Sequence, residues 1–359
     1  MSHLLRAVID SDALRNNFSV LRQRAGRAHV IAVVKANAYG HGLVSTALAL
    51  QDADGFAVAR LEEGIALRAA GITSRILLLE GVFSAAQLED AAHDGFDLVV
   101  HDERQIELLG HAHGGAQRFA VWLKVDSGMH RLGFAPEDVP AALARLRALQ
   151  PPPRELRLMT HLACADEADG RVTREQLECF RAAARGSNCE LSVANSAGLL
   201  GKVPTGCHWV RPGIALYGAS PFEGVSARRL GLKPVMTLTS SVIALRRVRR
   251  GEAVGYGGTW VAKRDSQIAT IAAGYGDGVH RSLKSGTPLL INGRRAIFAG
   301  RVSMDMLCAD VTGIEGVALG TPVVLWGEGL PVEEVARHAG TISYELLCGV
   351  SPRVPLELR

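Results

Sequence analysis

What most constrains this chain is an alternation of eight short β-rich runs with helix-type segments across roughly 210 residues. The runs are HVIAVV (29–34), GFAVA (55–59), RILLLEG (75–81), DLVVHD (97–102), RFAVWLKVD (118–126), LRLMTHL (156–162), ELSVANS (190–196) and HWVRPGIALYG (208–218). Between them lie RLEEGIALRAAG (60–71), SAAQLEDAAHDG (84–95), PEDVPAALARLRALQ (136–150) and TREQLECFRAAARG (173–186). A leading helix is predicted over 10–26, where Leu14, Phe18 and Leu21 recur at helical spacing and Gly26 closes the segment. Strands this apolar need cover on both faces, which parallel strands with crossover helices provide. The count and size predict a TIM-type (β/α)8 barrel. A doubly wound open sheet is the competitor, but it needs two edges and usually fewer strands.

From about residue 235 the texture changes. VMTLTSSVIAL, IATIAAG, TPLLI and TPVVLW are separated by Gly-rich turns, and only PVEEVARHAG (331–340) reads as a short helix. The expected organisation is a barrel over 1–234 and a mainly β domain over 235–359. Net charge is +4 and dispersed, which points away from nucleic acid and membrane as main partners. The six cysteines form no CxxC pair, and the N-terminus shows no leader-type apolar run. These features predict a cytoplasmic enzyme without a metal site. His111 and His113 lack a third ligand nearby, and the Arg246, Arg247, Arg249, Arg250 run reads as a solvated edge.

A barrel of this kind carries its chemistry at the C-terminal ends of its strands. Strand one ends in Lys35, strand five leads to Lys124, Asp126 and Arg131, strand six to His161, strand seven to Asn195 and Ser196, and strand eight to Arg211 and Gly213. Cations and small polar groups dominate and carboxylates are scarce, so the mouth favours an anion such as phosphate or carboxylate. Burial of Lys35 would favour its neutral amine, which forms Schiff bases; the plain alternative is a lysine that snorkels to solvent. For Lys124 the plain alternative is a salt bridge to Asp126 or to the barrel mouth.

VVKANAYGHG, KVDSGMHRLG, THLACAD, ANSAG, VRPGIALYG, VGYGGTW, AAGYGDG and GRVSMDM occur in this order. Together they closely resemble the alanine racemase family, from IDSDALRNN at residue 9 to the RVP near residue 354. The resemblance implies a homodimer with shared active sites that interconverts L-alanine and D-alanine using pyridoxal 5'-phosphate. It also implies a role in supplying D-alanine for peptidoglycan or in catabolising it. Lys35 would be the Schiff-base lysine and one acid/base group. Tyr256, from the partner subunit, would be the other. Tyr39, Ser196, Gly213 and Ile214 would hold the cofactor phosphate, Arg211 would face the pyridine nitrogen, and His161 would pack beside the ring. Arg131 and the Met304 backbone would fix the substrate carboxylate, with Asp305 in support and Tyr275 along the substrate's approach. Lys124 would carry a carbamate beside Arg131.

The chain departs from the family pattern at Pro352, where many members have a tyrosine expected to shape the substrate pocket. The nearest rival is an amino-acid decarboxylase of the same fold, which would place an acidic residue where Arg211 stands. A non-catalytic pyridoxal-phosphate carrier is the rival from another class, and it leaves the second domain unexplained.

Overall fold

The computed structural model of the chain describes residues 4–359. Strand β1 (Arg6–Ile9) is followed by the helix Ser11–Ala25, which Asp10 caps by accepting a hydrogen bond from Ala13 N. That helix buries Leu14, Phe18 and Leu21, and it stops at Gly26. Eight parallel strands then form: β2 (His29–Val33), β3 (Gly55–Val58), β4 (Arg75–Leu78), β5 (Asp97–Val100), β6 (Ala120–Lys124), β7 (Glu155–Met159), β8 (Glu190–Ser192) and β9 (Trp209–Val210). Each pairs with the next, and β9 pairs with β2, so the sheet closes into the expected barrel.

The last run is shorter than its composition suggests. Strand pairing ends at Val210, because Pro212 has no N–H to donate, and Ile214–Tyr217 wind into a 3-10 turn instead. The pairing is continued from the other side, by Val33 N donating to Pro212 O at 3.0 Å.

The second unit is built on one long strand, β10 (Met236–Val248). It closes an antiparallel ring with Ser266–Ile271, Leu307–Asp310, Arg294–Phe298, Pro288–Ile291 and Pro322–Trp326. The chain's own start crosses the division at residue 235. β1 runs antiparallel to Met236–Thr239, and Leu356–Leu358 adds in parallel on its other side. Helices Val332–Ala339, as expected, and Ser343–Cys348, unannounced in the sequence, follow the ring. The Arg246–Arg250 run is exposed apart from Val248, and the His111 ring nitrogen Nδ1 bonds Glu107 O at 2.8 Å. Among the described residues no acidic, cysteine or histidine cluster could hold a metal ion, and no helix is long and apolar enough to cross a membrane.

The N-terminal end of the barrel is plugged by paired charge. Asp97, at the start of β5, accepts from Arg75 and from Trp122 Nε1 at 3.0 Å. Arg157 on β7 bonds Glu155 and Glu190, and its guanidinium lies 5.0 Å from the Trp122 ring and 4.9 Å from that of Trp209. Removing one partner of a buried pair strands the other, at about 3–5 kcal/mol. Asp97→Ala leaves Arg75 with Glu155 alone and Trp122 Nε1 without its acceptor, so it should lower unfolding stability by less than that, about 1–3 kcal/mol, read as a shift of the urea midpoint. A midpoint within error of wild type would show that the plug is not what holds this end together.

Candidate active site

At the opposite end, the chain leaves β2 and enters a conformation that L-residues seldom adopt. Ala36, Asn37, Ala38 and Tyr39 all have φ of 53–54°, a full turn of left-handed helix that costs about 1–2 kcal/mol per residue. Neighbouring groups hold it in place. Glu63 accepts from Asn37 N at 3.4 Å, Asn37 Oδ1 accepts from Leu43 N at 2.9 Å, and Ala38 N donates to Val34 O at 2.8 Å. Gly40 ends the turn at φ 81°, so close to a neighbouring strap that a Cβ would stand 2.2 Å from Leu347 O. The turn brings Lys35 and Tyr39 to the same cavity.

That cavity, of about 500 Å³, is lined by ten of the residues singled out by the sequence: Lys35, Tyr39, Lys124, Arg131, His161, Asn195, Ser196, Arg211, Gly213 and Ile214. Its size is that of a small-molecule site. Ser196 Oγ accepts from Gly213 N at 2.9 Å and from Ala215 N at 3.3 Å. A Cβ at Gly213 would lie 2.4 Å from the Tyr39 hydroxyl, so glycine is needed there for space. Two hydroxyls and a run of backbone N–H groups thus meet at one small cradle, a donor set suited to phosphate.

The cavity's charge is nearly all of one sign. Among the described residues Glu80 is the only carboxylate lining it, opposite the cations Lys35, Lys124, Arg131 and Arg211. Burial and then Arg131 lower the Lys35 pKa, while Glu80 and Glu63 oppose them. Burial and the neighbouring cations Arg131, Arg211 and Lys35 bring Lys124 down to about 8. His161 is driven down to about 3 by burial and by Arg211, so its ring is neutral. Arg211 is buried, and its hydrogen bonds go only to neutral oxygens: Ser192 Oγ, Thr160 O at 2.6 Å and Val193 O at 3.3 Å. Burial lowers it to about 10, which leaves it charged near neutrality. The salt bridge offered as the plain alternative for Lys124 is not made: Asp126 is engaged by the backbone N–H groups of Gly128, Met129 and His130 and by the His130 ring.

Four sequence candidates lie elsewhere. Tyr256, Tyr275, Met304 and Asp305 all sit on the second unit, exposed and outside their own chain's cavity. They are neighbours of one another in part: Tyr275 N donates to Ser303 O at 2.9 Å and Gly276 N to Met304 O at 2.8 Å. Asp305 pairs with Arg353 Nη2 at 2.7 Å, and Arg353 Nε also holds Asp277 at 2.6 Å.

The cavity also contains residues the sequence reading passed over. Tyr344, on the helix Ser343–Cys348, reaches it with Cys348 and stands 6.0 Å from the Tyr39 ring. The aromatic looked for at position 352 therefore enters from Tyr344, and Pro352 does not line the cavity. Glu80 stands next to last in the run RILLLEG, just past the end of β4, so reading the strand ends points to it as it does to Lys35.

Comparison with known proteins agrees with this arrangement. The chain matches the family model "Alanine racemase, N-terminal domain" over residues 9–221 and "Alanine racemase, C-terminal domain" over 235–358. It is 49% identical to the alanine racemase of Shewanella woodyi over 350 residues, 97% of each chain. It is 49% identical to that of Chromohalobacter salexigens over 360 residues, covering 100% of this chain and 99% of the other. The crystal structure of the biosynthetic alanine racemase from Pseudomonas aeruginosa superposes with a TM-score of 0.96 at 48% identity, over the full length of both chains. By its sequence, its fold and the residues gathered in its cavity, the chain belongs to the alanine racemase family.

Proposed function

We propose that this protein interconverts L-alanine and D-alanine with pyridoxal 5'-phosphate, as a homodimer in which the second domain of each subunit completes the other's cavity. The observation that carries the reading is the meeting of Lys35, Arg211 and the Tyr39–Ser196–Gly213 cradle in one cavity. On this reading residues 1–234 hold the cofactor and residues 235–359 serve the neighbour. A cytoplasmic setting and a role in peptidoglycan supply or D-alanine catabolism go with it.

When bound, pyridoxal phosphate supplies an electron sink that makes the Cα proton of an amino acid removable. Lys35 Nζ would hold it covalently, while the Tyr39 and Ser196 hydroxyls and the N–H groups at Gly213 and Ile214 take its phosphate. Arg211 does not surrender its proton, so toward a pyridine nitrogen it can only donate a hydrogen bond. An arginine there would leave the nitrogen uncharged, which would weaken the sink and suppress side reactions. His161 is neutral and offers the ring a flat partner. Arg131 takes the substrate carboxylate together with the Met304 backbone of the partner subunit, supported there by Asp305. A carbamate on Lys124 would replace a repulsion toward Arg131 with an attraction and orient its fork.

Racemisation removes a proton from one face of Cα and returns one to the other. A single base would tend to return the proton it took, so two groups are required. Lys35 Nζ works one face and Tyr256 Oη of the partner subunit the other, the tyrosinate accepting in the L-to-D direction and the roles exchanging in reverse. In support, Tyr256 is 66% exposed on its own chain, and Tyr275, Met304 and Met306 lie open on the same unit. Large apolar and phenolic side chains left bare are what an assembly interface covers.

Incubated with pyridoxal phosphate and L-alanine in heavy water, the protein should yield D-alanine deuterated at Cα, followed by proton NMR and chiral chromatography. L-serine, L-lysine and L-arginine run in parallel rank its specificity. Carbon dioxide release would instead identify a decarboxylase, and no exchange at all would sink the reading. Tyr256→Phe should lower turnover in both directions by about 10²–10⁴-fold; full turnover would refute the two-base scheme.

The depressed Lys35 pKa gives a pH test with a definite sign. Free amine becomes available at a lower pH than for a solvent lysine, so adduct formation by the cofactor-free protein should begin correspondingly early. Arg131→Gln removes a cation that disfavours the protonated amine, and should move the absorbance midpoint to higher pH. A midpoint that stays or falls contradicts this account.

A further inference from the structure

His41 is wholly buried and belongs to no part of the cavity lining. Its Nδ1 lies 3.0 Å from Ala38 O and 2.9 Å from Tyr39 O. Carbonyl oxygens only accept, so Nδ1 carries the hydrogen and shares it between them. That tautomer leaves Nε2 a bare lone pair, buried and without a partner among the described residues. A buried acceptor with no partner is a cost that leucine or phenylalanine would avoid. What an imidazole adds here is therefore the donor at Nδ1. Burial holds the ring's pKa down to about 4, so it stays neutral and keeps this tautomer.

Both accepting carbonyls belong to the left-handed turn, whose four residues would relax toward ordinary conformations if released. The far face of the imidazole packs 4.5 Å from the Tyr217 ring, and Tyr217 stacks at 4.8 Å on Tyr39. Tyr217 also ties back to β2 through its hydroxyl, 2.9 Å from Val33 O.

We propose that His41 is a positioning residue, whose Nδ1–H holds the left-handed turn so that the Lys35 amine and the Tyr39 hydroxyl face one cavity in fixed register. The proposal rests on the pyridoxal-phosphate reading above, and the two can fail separately. Asparagine provides the test, because its Nδ2 stands where the histidine Nδ1 stood and it has no counterpart to Nε2.

His41→Leu and His41→Asn are compared with wild type for pyridoxal-phosphate affinity by absorbance titration, for the borohydride-trapped adduct at Lys35 by peptide mass spectrometry, and for kcat and KM. Misplacement of reacting groups by about an ångström can cost on the order of a hundredfold. His41→Leu should accordingly bind the cofactor about tenfold or more weakly and lose kcat by about ten- to a hundredfold, with little change in the KM for alanine. His41→Asn should come back to within about threefold of wild type in both. Equal impairment of the two variants, or a folded His41→Leu with wild-type affinity and kcat, overturns the proposal. If His41→Leu does not fold, His41→Asn decides alone: near-wild-type affinity supports the proposal, and a folded variant with about tenfold weaker binding overturns it. A wild-type protein that forms no adduct at Lys35 overturns the functional reading and this one together, whereas a normal wild type with an unimpaired His41→Leu overturns this one only.

Discussion

The site depends on the pairing that closes the barrel. His29 stands beside Trp209 and Val30 beside Val210, in parallel register, and Val33 N extends the ladder to Pro212 O. Because parallel strands advance together, whatever follows β2 must emerge next to whatever follows β9. Lys35 therefore meets Arg211 and Gly213, although some 180 residues separate them in sequence. An open sheet of the same strands would have left the two segments at opposite edges, with the amine on one and the phosphate cradle on the other. Closure is thus what gathers these groups into one cavity, and the short β9 is sufficient because Val33 and Tyr217 add bonds beyond its two residues.

Closure also concentrates charge. Burial and then Arg131 lower the Lys35 pKa, with Glu80 opposing them, and burial with Arg131, Arg211 and Lys35 lowers that of Lys124. A protein that needed this end only to be stable would have paired those cations. A cavity left short of carboxylates is instead suited to a ligand that brings negative charge with it. Phosphate and the carboxylate of an amino acid both do.

Several of these features were legible in the sequence because they are local or periodic. The eight apolar runs and the turns between them give the barrel, and reading the ends of those runs gives Lys35, Lys124, His161, Ser196 and Arg211. Four things escaped, each for a physical reason. The run at 208–218 has strand composition, but Pro212 withdraws the donor that a strand needs, so most of it turns. The strand at 6–9 is too short to declare its partner, and its pairing with 236–239 is a contact made by the folded chain alone. Tyr344 approaches from a six-residue helix whose composition does not distinguish it from a loop, so the aromatic was sought eight positions further on. The left-handed turn was hidden for a different reason. Nothing in Ala-Asn-Ala-Tyr favours positive φ strongly except asparagine, and it is the surrounding bonds from Glu63, His41 and Leu43 that impose it.

The same barrel treats two buried arginines in opposite ways. Arg157, at the N-terminal end, is held by two carboxylates and lies against two tryptophan rings, so its charge is neutralised where it stands. Arg211, at the C-terminal end, is more deeply buried and has only a hydroxyl and two carbonyls. Those oxygens fix the guanidinium's orientation without cancelling its charge. If Arg211 were given a carboxylate, its charge would be neutralised as that of Arg157 is, and its field would no longer act on His161 or Lys124. Paired charge at one end supplies rigidity, and the fold can then tolerate unpaired charge at the other, where the strain is used. Trp122, Trp209, Glu155 and Glu190 accordingly stand around Arg157 at the bottom of the barrel, whereas Lys35, Lys124, Arg131, Arg211 and the left-handed turn stand together at the top.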